Sequence, residues 1–185
     1  MARLAVFDLD GTLLDSDAAL LAPFAALGVD PATVPLGLPA AAACELAGIT
    51  LDDYVAHYDT TAVVPFPGVD ELLAQLDRWA LASNKTSASG RAELARLGWS
   101  PEVARFSEDF GGAEKSLDPV LAALGVVPTD VVYVGDTDHD RACAARAGTR
   151  FALAGWNPRA RVGALAADLV LDHPLEVLDL LTPRN

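Results

Sequence analysis

Two aspartates, Asp8 and Asp10, follow an apolar run near the start of the chain and are separated by one residue. On a β-strand, side chains two positions apart point to the same side, so both carboxylates would face one ligand. Gly11 follows and lets a ligand approach the backbone closely. Two buried carboxylates side by side are unfavourable unless a cation lies between them or one is protonated. The pair therefore favours a site for a hard divalent cation such as Mg²⁺, although acidic turn residues at a strand end have the same appearance.

The elements that position these carboxylates alternate between strand and helix over most of the chain. We predict strands at residues 3–8, 79–83, 104–107, 131–135, 150–153 and 168–171. We predict helices at residues 69–77, 87–97, 119–124, 139–147, 160–165 and 175–181. Such alternation is typical of an α/β fold in which helices cover both faces of a parallel sheet, with ligands bound beyond the carboxyl ends of the strands. The sequence therefore predicts a Rossmann-like, doubly wound parallel sheet.

One segment interrupts this alternation, between the first strand and the helix at 69–77. It is predicted to form short helices at residues 17–27, 39–47 and 51–58. A helical insertion directly after a strand that carries reactive residues is best interpreted as a lid. We therefore predict an α/β core formed by residues 1–15 and 66–185, and a small α-helical cap formed by residues 16–65.

Polar residues also follow other predicted strands. One strand ends in Ser83-Asn84-Lys85, Lys115 precedes a helix start, and residues 135–140 have the sequence GDTDHD. Each feature alone is weak, because Ser is a common helix cap and Gly-Asp-Thr a common turn. The chain has eleven arginines but only these two lysines, which favours a specific need for an ammonium group at both places. Independent helix caps and turns do not readily explain why all of these features occur in this order at one edge of the predicted sheet.

With these motifs the chain resembles the haloacid dehalogenase (HAD) superfamily of aspartyl-phosphate phosphotransferases. Within it, the chain is similar to the phosphoglycolate-phosphatase-like group, whose helical cap is inserted after the first strand. The first motif is residues 8–16 (DLDGTLLDS), the second is residues 83–85 (SNK), the third is Lys115 and the fourth is residues 135–140. The resemblance implies a HAD core with a small helical cap and the activity of a phosphoric monoester hydrolase.

The resemblance also implies a role for each motif residue. Asp8 would attack phosphorus and form an aspartyl-phosphate, Asp10 would protonate the leaving group and then activate water, and Lys115 would offset negative charge. The implied phosphoryl-binding residues are Gly11, Thr12, Ser83 and Asn84. The implied ligands of Mg²⁺ are Asp8, Asp10 through its carbonyl, Asp136, and Asp140 directly or through water.

Composition excludes some partners and favours others. The formal net charge of −13 argues against nucleic acid and anionic membranes, which need a concentrated positive surface. No long uncharged apolar run or signal-peptide layout is visible, so we expect a cytoplasmic protein. Cys44 and Cys143 lie in Ala-rich helical contexts and are expected to be buried thiols without a catalytic role. The expected partner is a small phosphate ester.

The predicted cap has little positive charge with which to bind an anion. No Lys or Arg occurs between Leu4 and Asp77, so His57 is its only candidate cation. This favours an uncharged leaving group, such as a sugar or nucleoside, over phosphoglycolate or a bisphosphate. Arg159 or Arg161, in a later loop, could still reach the substrate from the core, and each could equally be an ordinary surface residue. His139, beside Asp140, is also left without an assigned role.

Two alternatives to a phosphatase stay open at this point. A phosphomutase of the β-phosphoglucomutase type would return the phosphoryl group to a bound sugar phosphate instead of water. A non-catalytic protein that binds a phosphorylated ligand would need the fold but not a proton shuttle at Asp10. The complete set of acidic and basic motif residues favours an enzyme over this second alternative.

Overall fold

A computed structural model describes residues 2–111, 114–160 and 169–181. The strands are β1 (Leu4–Phe7), β2 (Leu14–Asp15), β3 (Val64–Pro65), β4 (Trp79–Ala82), β5 (Val103–Arg105), β6 (Val131–Gly135), β7 (Arg150–Ala154) and β8 (Val170–Leu171). Six of them form one parallel sheet in the order β5-β4-β1-β6-β7-β8. Numbered along the chain, these six follow the order 3-2-1-4-5-6 of a Rossmann-like sheet. The predicted fold class is confirmed.

The helices connect the strands as the alternation predicts. They are α1 (Asp17–Ala26), α2 (Ala40–Ala47), α3 (Leu51–His57), α4 (Val69–Gln75), α5 (Ser87–Leu97), α6 (Asp118–Leu124) and α7 (Asp138–Ala147). Short 3₁₀ turns occur at Pro31–Thr33, Ser107–Phe110 and Pro128–Asp130. Where a predicted strand or α-helix lies fully within the described residues, its ends agree with the structure to within two residues.

Three predicted elements differ from the structure or cannot be compared with it. The predicted helix 175–181 is a 3₁₀ helix, Pro174–Leu180, in which Val177 is fully buried and the neighbouring leucines pack on the core. Residues 161–165 of the predicted helix 160–165 and the first residue of the predicted strand 168–171 lie outside the described residues. The ribbon of β2 and β3 was not predicted, because two-residue strands have no readable period.

The main sheet is buried on both faces because strand side chains alternate in direction. Ala5 and Phe7 belong to the core that includes residues of α4 and α5. Leu4 and Val6 belong to the second core, with residues of α6 and α7. This placement explains why the whole of β1 is apolar, as in other two-sided parallel sheets.

The segment between β2 and β3 contains α1, α2 and α3. These helices have a small apolar cluster of their own, formed by Phe24, Ala43, Cys44 and Tyr54. The antiparallel pairing of Leu14 with Pro65 and of Asp15 with Val64 brings the two ends of the segment together. We keep the division into a core (1–15 and 66–185) and a cap (16–65) as a proposal that this arrangement supports. None of the described helices has both the length and the apolar character needed to cross a bilayer.

Candidate active site

The predicted acidic residues meet where the order of the sheet reverses. β1 and β6 are neighbours in the sheet, Asp8 follows β1 and Asp136 follows β6. In open α/β sheets this switch point opens a crevice at the carboxyl ends of the strands. Asp8, Asp136 and Asp140 are buried there, and each offers an oxygen within 4.8 Å of the other two. The sheet topology therefore brings together residues that are far apart in the sequence.

The loop after β1 lies directly on Asp136. Thr12 Oγ1 donates a hydrogen bond of 3.2 Å to Asp136 Oδ1. Gly11 has a φ of +78°, and a Cβ atom there would collide with the Asp136 carboxylate. Only glycine satisfies both the left-handed conformation and the close approach. Gly11 and Thr12 thus position Asp136, and their contact with a phosphoryl group stays a prediction.

Asp140 is fully buried and organises the loop after β6. Its Oδ2 accepts hydrogen bonds from the backbone N–H groups of Asp136 and Thr137 and from Thr137 Oγ1, at 3.2, 3.0 and 2.6 Å. Its Oδ1 accepts from Lys115 Nζ at 2.5 Å and from Tyr133 OH at 3.0 Å. A metal ion would therefore reach Asp140 through water, or would replace one of these bonds.

Lys115 connects Asp140 to Asp8. Its side chain is 4% exposed, and its Nζ lies 3.2 Å from Asp8 Oδ1 as well as 2.5 Å from Asp140 Oδ1. The Lys115 carbonyl is held by Cys143 Sγ and by Arg146 Nη2, at 3.2 and 3.0 Å. Cys143 is a buried free thiol, as predicted. The predicted third motif therefore delivers its ammonium group to the nucleophile proposed from the sequence.

The carboxylates of this site have perturbed pKa values. Burial raises the pKa of Asp8 to about 7, with Asp140 and Asp10 adding to the rise and Lys115 opposing it. Burial, Asp140 and Asp8 raise the pKa of Asp136 to about 8. Burial also acts to raise the pKa of Asp140, but Lys115 and several hydrogen bonds hold it below its ordinary value. With all three carboxyl groups ionised, the site would carry more negative charge than Lys115 can balance.

These residues fit a hard divalent cation. Asp8 Oδ1 is buried and accepts no hydrogen bond from the described residues. Buried carboxylates that lie close together and have raised pKa values are the kind of ligand pair that Mg²⁺ binds. Asp8 and Asp136 are the residues best placed to hold such an ion.

A loop after β7 supports the same site and has a role that the sequence did not reveal. Asn157 Nδ2 donates to the Gly11 carbonyl at 2.8 Å and to Asp136 Oδ2 at 3.2 Å. Trp156 Nε1 donates to the Thr12 carbonyl at 2.9 Å. In the sequence, the one sign of this role is the position of the two residues directly after β7, the strand next to β6.

Of the two arginines considered for this loop, the structure describes Arg159, which is exposed. Arg159 Nη2 lies 2.5 Å from Asp15 Oδ1, and Arg159 Nε lies 2.9 Å from Asp17 Oδ2. Arg159 therefore pairs with the start of the insertion, and it is not among the residues that line the crevice. Arg161 lies outside the described residues.

The end of β4 contributes the second motif. Ser83 is buried, and its Oγ accepts a hydrogen bond from the Lys85 N–H at 3.2 Å. Asn84 Nδ2 donates to the Gly37 carbonyl in the insertion at 2.9 Å, while Asn84 Oδ1 is buried and has no hydrogen-bond partner in the described part of the chain. Lys85 Nζ lies 2.7 Å from Asp10 Oδ1, a contact that the sequence analysis did not predict.

A crevice between the core and the insertion contains most of these groups. From the core it is lined by Asp8, Asp10, Ser83, Asn84, Lys85 and Asp136, among others. From the insertion it is lined mainly by uncharged residues, including Leu20, Phe24, Val34, Leu36, Tyr54 and Tyr58. Among the described residues that line it, Lys85 is the one cation. His57 and His139 are exposed and do not line it, and His173 caps the last 3₁₀ helix.

The model of the haloacid dehalogenase-like hydrolase family matches residues 5–154, which include every predicted motif. The chain belongs to this family. The resemblance inferred from the motifs is thus confirmed, and so is the expectation that this HAD protein is an enzyme of the hydrolase class.

Relatives and solved structures agree with this assignment. A phosphoglycolate phosphatase of Xylella fastidiosa is 31% identical over 188 aligned positions, which cover 85% of this chain and 82% of that protein. An N-acetylmuramic acid 6-phosphate phosphatase of Pseudomonas aeruginosa is 28% identical over 210 positions, covering 95% and 93%. The crystal structure of a HAD-superfamily hydrolase, subfamily IA, from Geobacter sulfurreducens superposes with a TM-score of 0.70 at 19% identity, covering 98% and 97%. At 19% identity, the similarity to the Geobacter sulfurreducens structure shows a shared fold alone.

Proposed function

We propose that this HAD hydrolase is a Mg²⁺-dependent phosphatase that hydrolyses a small phosphomonoester through an aspartyl-phosphate on Asp8. The observation that carries the proposal is the environment of Asp8. One of its buried oxygens accepts no hydrogen bond from the described residues, lies 3.2 Å from Lys115 Nζ and belongs to the cluster with Asp136. The names of the two relatives, both phosphatases of small phosphate esters, support the same reaction.

The reaction would proceed in two displacements. In the first, a carboxylate oxygen of Asp8 attacks phosphorus, the bond from phosphorus to the leaving oxygen breaks, and Asp10 gives its proton to that oxygen. In the second, Asp10 takes a proton from water, the water oxygen attacks phosphorus, and phosphate and the free Asp8 carboxylate are released. Lys115 offsets the negative charge that gathers on Asp8 and the phosphoryl oxygens. A bound Mg²⁺ would supply further positive charge and orientation at Asp8 and Asp136.

The lining of the crevice supports an uncharged leaving group. Phosphoglycolate ends in a carboxylate, which would need a cation near the insertion. Lys85 is the one cation among the described lining residues, and its ammonium group already contacts Asp10 Oδ1 and Glu93 Oε1. We therefore propose a sugar or nucleoside phosphate as the substrate class, in agreement with the mostly uncharged residues contributed by the insertion.

No observation favours the two alternatives over hydrolysis. A phosphomutase would have to hold a second phosphate on the side of the insertion, where the described lining residues include no cation. A protein that only binds a phosphorylated ligand would not need Asp10 beside the cluster of Asp8 and Lys115.

The test is phosphate release from sugar phosphates, nucleotides, phosphoglycolate and p-nitrophenyl phosphate, with Mg²⁺ or with EDTA. Asp8→Asn serves as the blank. Asp130→Asn is the matched control, since Asp130 lies before β6, at the other end of the sheet. We expect release that requires Mg²⁺, persists in Asp130→Asn and disappears in Asp8→Asn. Activity that survives EDTA or the Asp8 substitution would contradict the proposal.

A further inference from the structure

A glutamate that takes no part in the mechanism is buried beside the site. Glu93 lies on the inner face of α5 and is 0% exposed. Its Oε1 accepts a hydrogen bond from Tyr58 OH at 2.7 Å, and its Oε2 has no hydrogen-bond partner among the described residues. Burial raises the pKa of Glu93 to about 7, although Lys85 opposes the rise. Because apolar residues often replace a buried ion pair without loss of stability, folding alone does not explain this carboxylate.

Lys85 joins Glu93 to the proposed acid and base of the reaction. Its Nζ lies 2.7 Å from Asp10 Oδ1, 2.7 Å from Tyr58 OH and 3.1 Å from Glu93 Oε1. An ammonium group has three N–H donors, so these three oxygen atoms can use all of them. The Lys85 side chain is 4% exposed. Three partners hold this otherwise flexible side chain in one place.

We infer that Glu93 and Lys85 are positioning residues for Asp10, and that Tyr58 makes this positioning depend on the insertion. Lys85 fixes Asp10 Oδ1, which leaves Oδ2 to exchange the proton. Tyr58 directly follows α3, whereas Lys85 and Glu93 belong to the core. The three partners of Lys85 are therefore complete only when the insertion lies against the core. The inference rests on the proposed function, which gives Asp10 its role.

A second interpretation of Lys85 makes a different prediction. If Lys85 bound the leaving group of an anionic substrate, its loss would raise KM for phosphoglycolate and leave uncharged substrates unaffected. If it positions Asp10, its loss lowers kcat for every substrate whose leaving group needs a proton, with little change in KM. The leaving group of p-nitrophenyl phosphate is stable as an anion, so its departure does not need the proton of Asp10.

The test compares Lys85→Met, Glu93→Gln, Tyr58→Phe and the double variant Lys85→Met/Glu93→Leu. The double variant removes both charges together, so Glu93 is not left as an unpaired buried charge, and the Asp10 side chain, 18% exposed, still reaches solvent. The control is Arg78→Met/Glu102→Leu, which removes a surface ion pair of 2.5 Å at the starts of β4 and β5, away from the carboxyl ends of the strands. Each protein is assayed with the best alkyl phosphate of the panel and with p-nitrophenyl phosphate, whose first turnover is followed by rapid mixing. Urea unfolding measures stability.

General acid catalysis contributes roughly 10²–10⁴-fold, so displacing Asp10 should lower kcat for the alkyl phosphate by about 10–100-fold. The first release of p-nitrophenolate should change less than about threefold, because this step does not need the proton. The double variant should unfold at the same or higher urea concentration than the wild type. The control should match the wild type in every measurement.

Three results would overturn the inference. They are an equal loss for both leaving groups, an unchanged kcat for the alkyl phosphate, or a KM effect confined to anionic substrates. A wild-type protein that hydrolyses none of the phosphates would instead refute the proposed function, and the inference with it. If the wild type is active but its variants give one of these three results, the inference fails and the proposed function stands.

Discussion

Adding Mg²⁺ should stabilise this protein, and the effect should grow with pH. In the metal-free protein, the pKa values of Asp8 and Asp136 are raised from 3.8 to about 7 and about 8. Folded molecules then hold protons that the unfolded chain has already lost. The contribution of these groups to stability is fully present below about pH 4 and is lost as pH rises through about 7 to 8. A cation that replaces the protons reverses this loss.

The size of the stabilisation by Mg²⁺ follows from the coupling of ion binding to folding. A ligand that binds only the folded state stabilises it by about 2.7 kcal/mol at about one hundred times its dissociation constant. For a chain of 185 residues, each kcal/mol changes Tm by about 2–4 °C, so at about pH 8 we expect a rise of about 5–11 °C. At about pH 6 both carboxyl groups must lose protons, which weakens binding at least about a hundredfold. The rise at the same Mg²⁺ concentration should then be about 2 °C or less.

Calorimetry of the wild type, with Mg²⁺ or EDTA at both pH values, measures this difference. Asp136→Asn removes one ligand of the cluster and should abolish most of the rise near pH 8, whereas the control Asp130→Asn should keep it. The reasoning is refuted if Mg²⁺ stabilises equally at both pH values, or if Asp136→Asn responds like the wild type. Neither result depends on knowing the substrate.

Three further outcomes are expected. Asp8→Asn should be inactive yet at least as stable as the wild type at about pH 8 without metal, by urea unfolding, because a carboxyl with a raised pKa is removed; lower stability would contradict this. Gly11→Ala should lower the free energy of unfolding by about 1–2 kcal/mol, because alanine is strained in the left-handed backbone conformation of this position. The collision of the new methyl group with Asp136 should also remove the Mg²⁺-dependent rise in Tm. An unchanged rise would argue against the metal site. Leu72→Ala should lose about 2–5 kcal/mol of stability with kcat nearly unchanged, since Leu72 is a fully buried core residue; a selective loss of kcat would show that the core is coupled to the site.

The sequence predicts the strand ends well because their signals are local. Asp8 closes an apolar run, and Asp136 follows β6, so parallel pairing is enough to place both at one edge of the sheet. Their chemical roles came from the resemblance to the family and not from spacing. The two-residue strands β2 and β3 are too short to show a period.

The residues that support the site were not predicted, because they contact residues that are far away in the sequence. In the sequence, Glu93 looks like an ordinary charged residue of a helix. The role inferred for it involves a hydrogen bond with Tyr58, 35 positions away. Asn157 looks like an ordinary loop residue, and it contacts Gly11 across 146 positions. Lys85 could be singled out by the scarcity of lysine, but not by its partners. Such contacts become visible only when the topology is known.

The ribbon of β2 and β3 has a consequence for how this enzyme can diversify. Because Leu14 pairs with Pro65, the segment between them is a loop whose ends are already closed. The entropic penalty of such a closed loop increases by only about 0.6 kcal/mol for each doubling of its length. The intervening segment can therefore lengthen, shorten or be exchanged with little effect on the stability of the sheet below it. Selection can then alter substrate preference through this segment, provided that the contact of Tyr58 with Lys85 is kept.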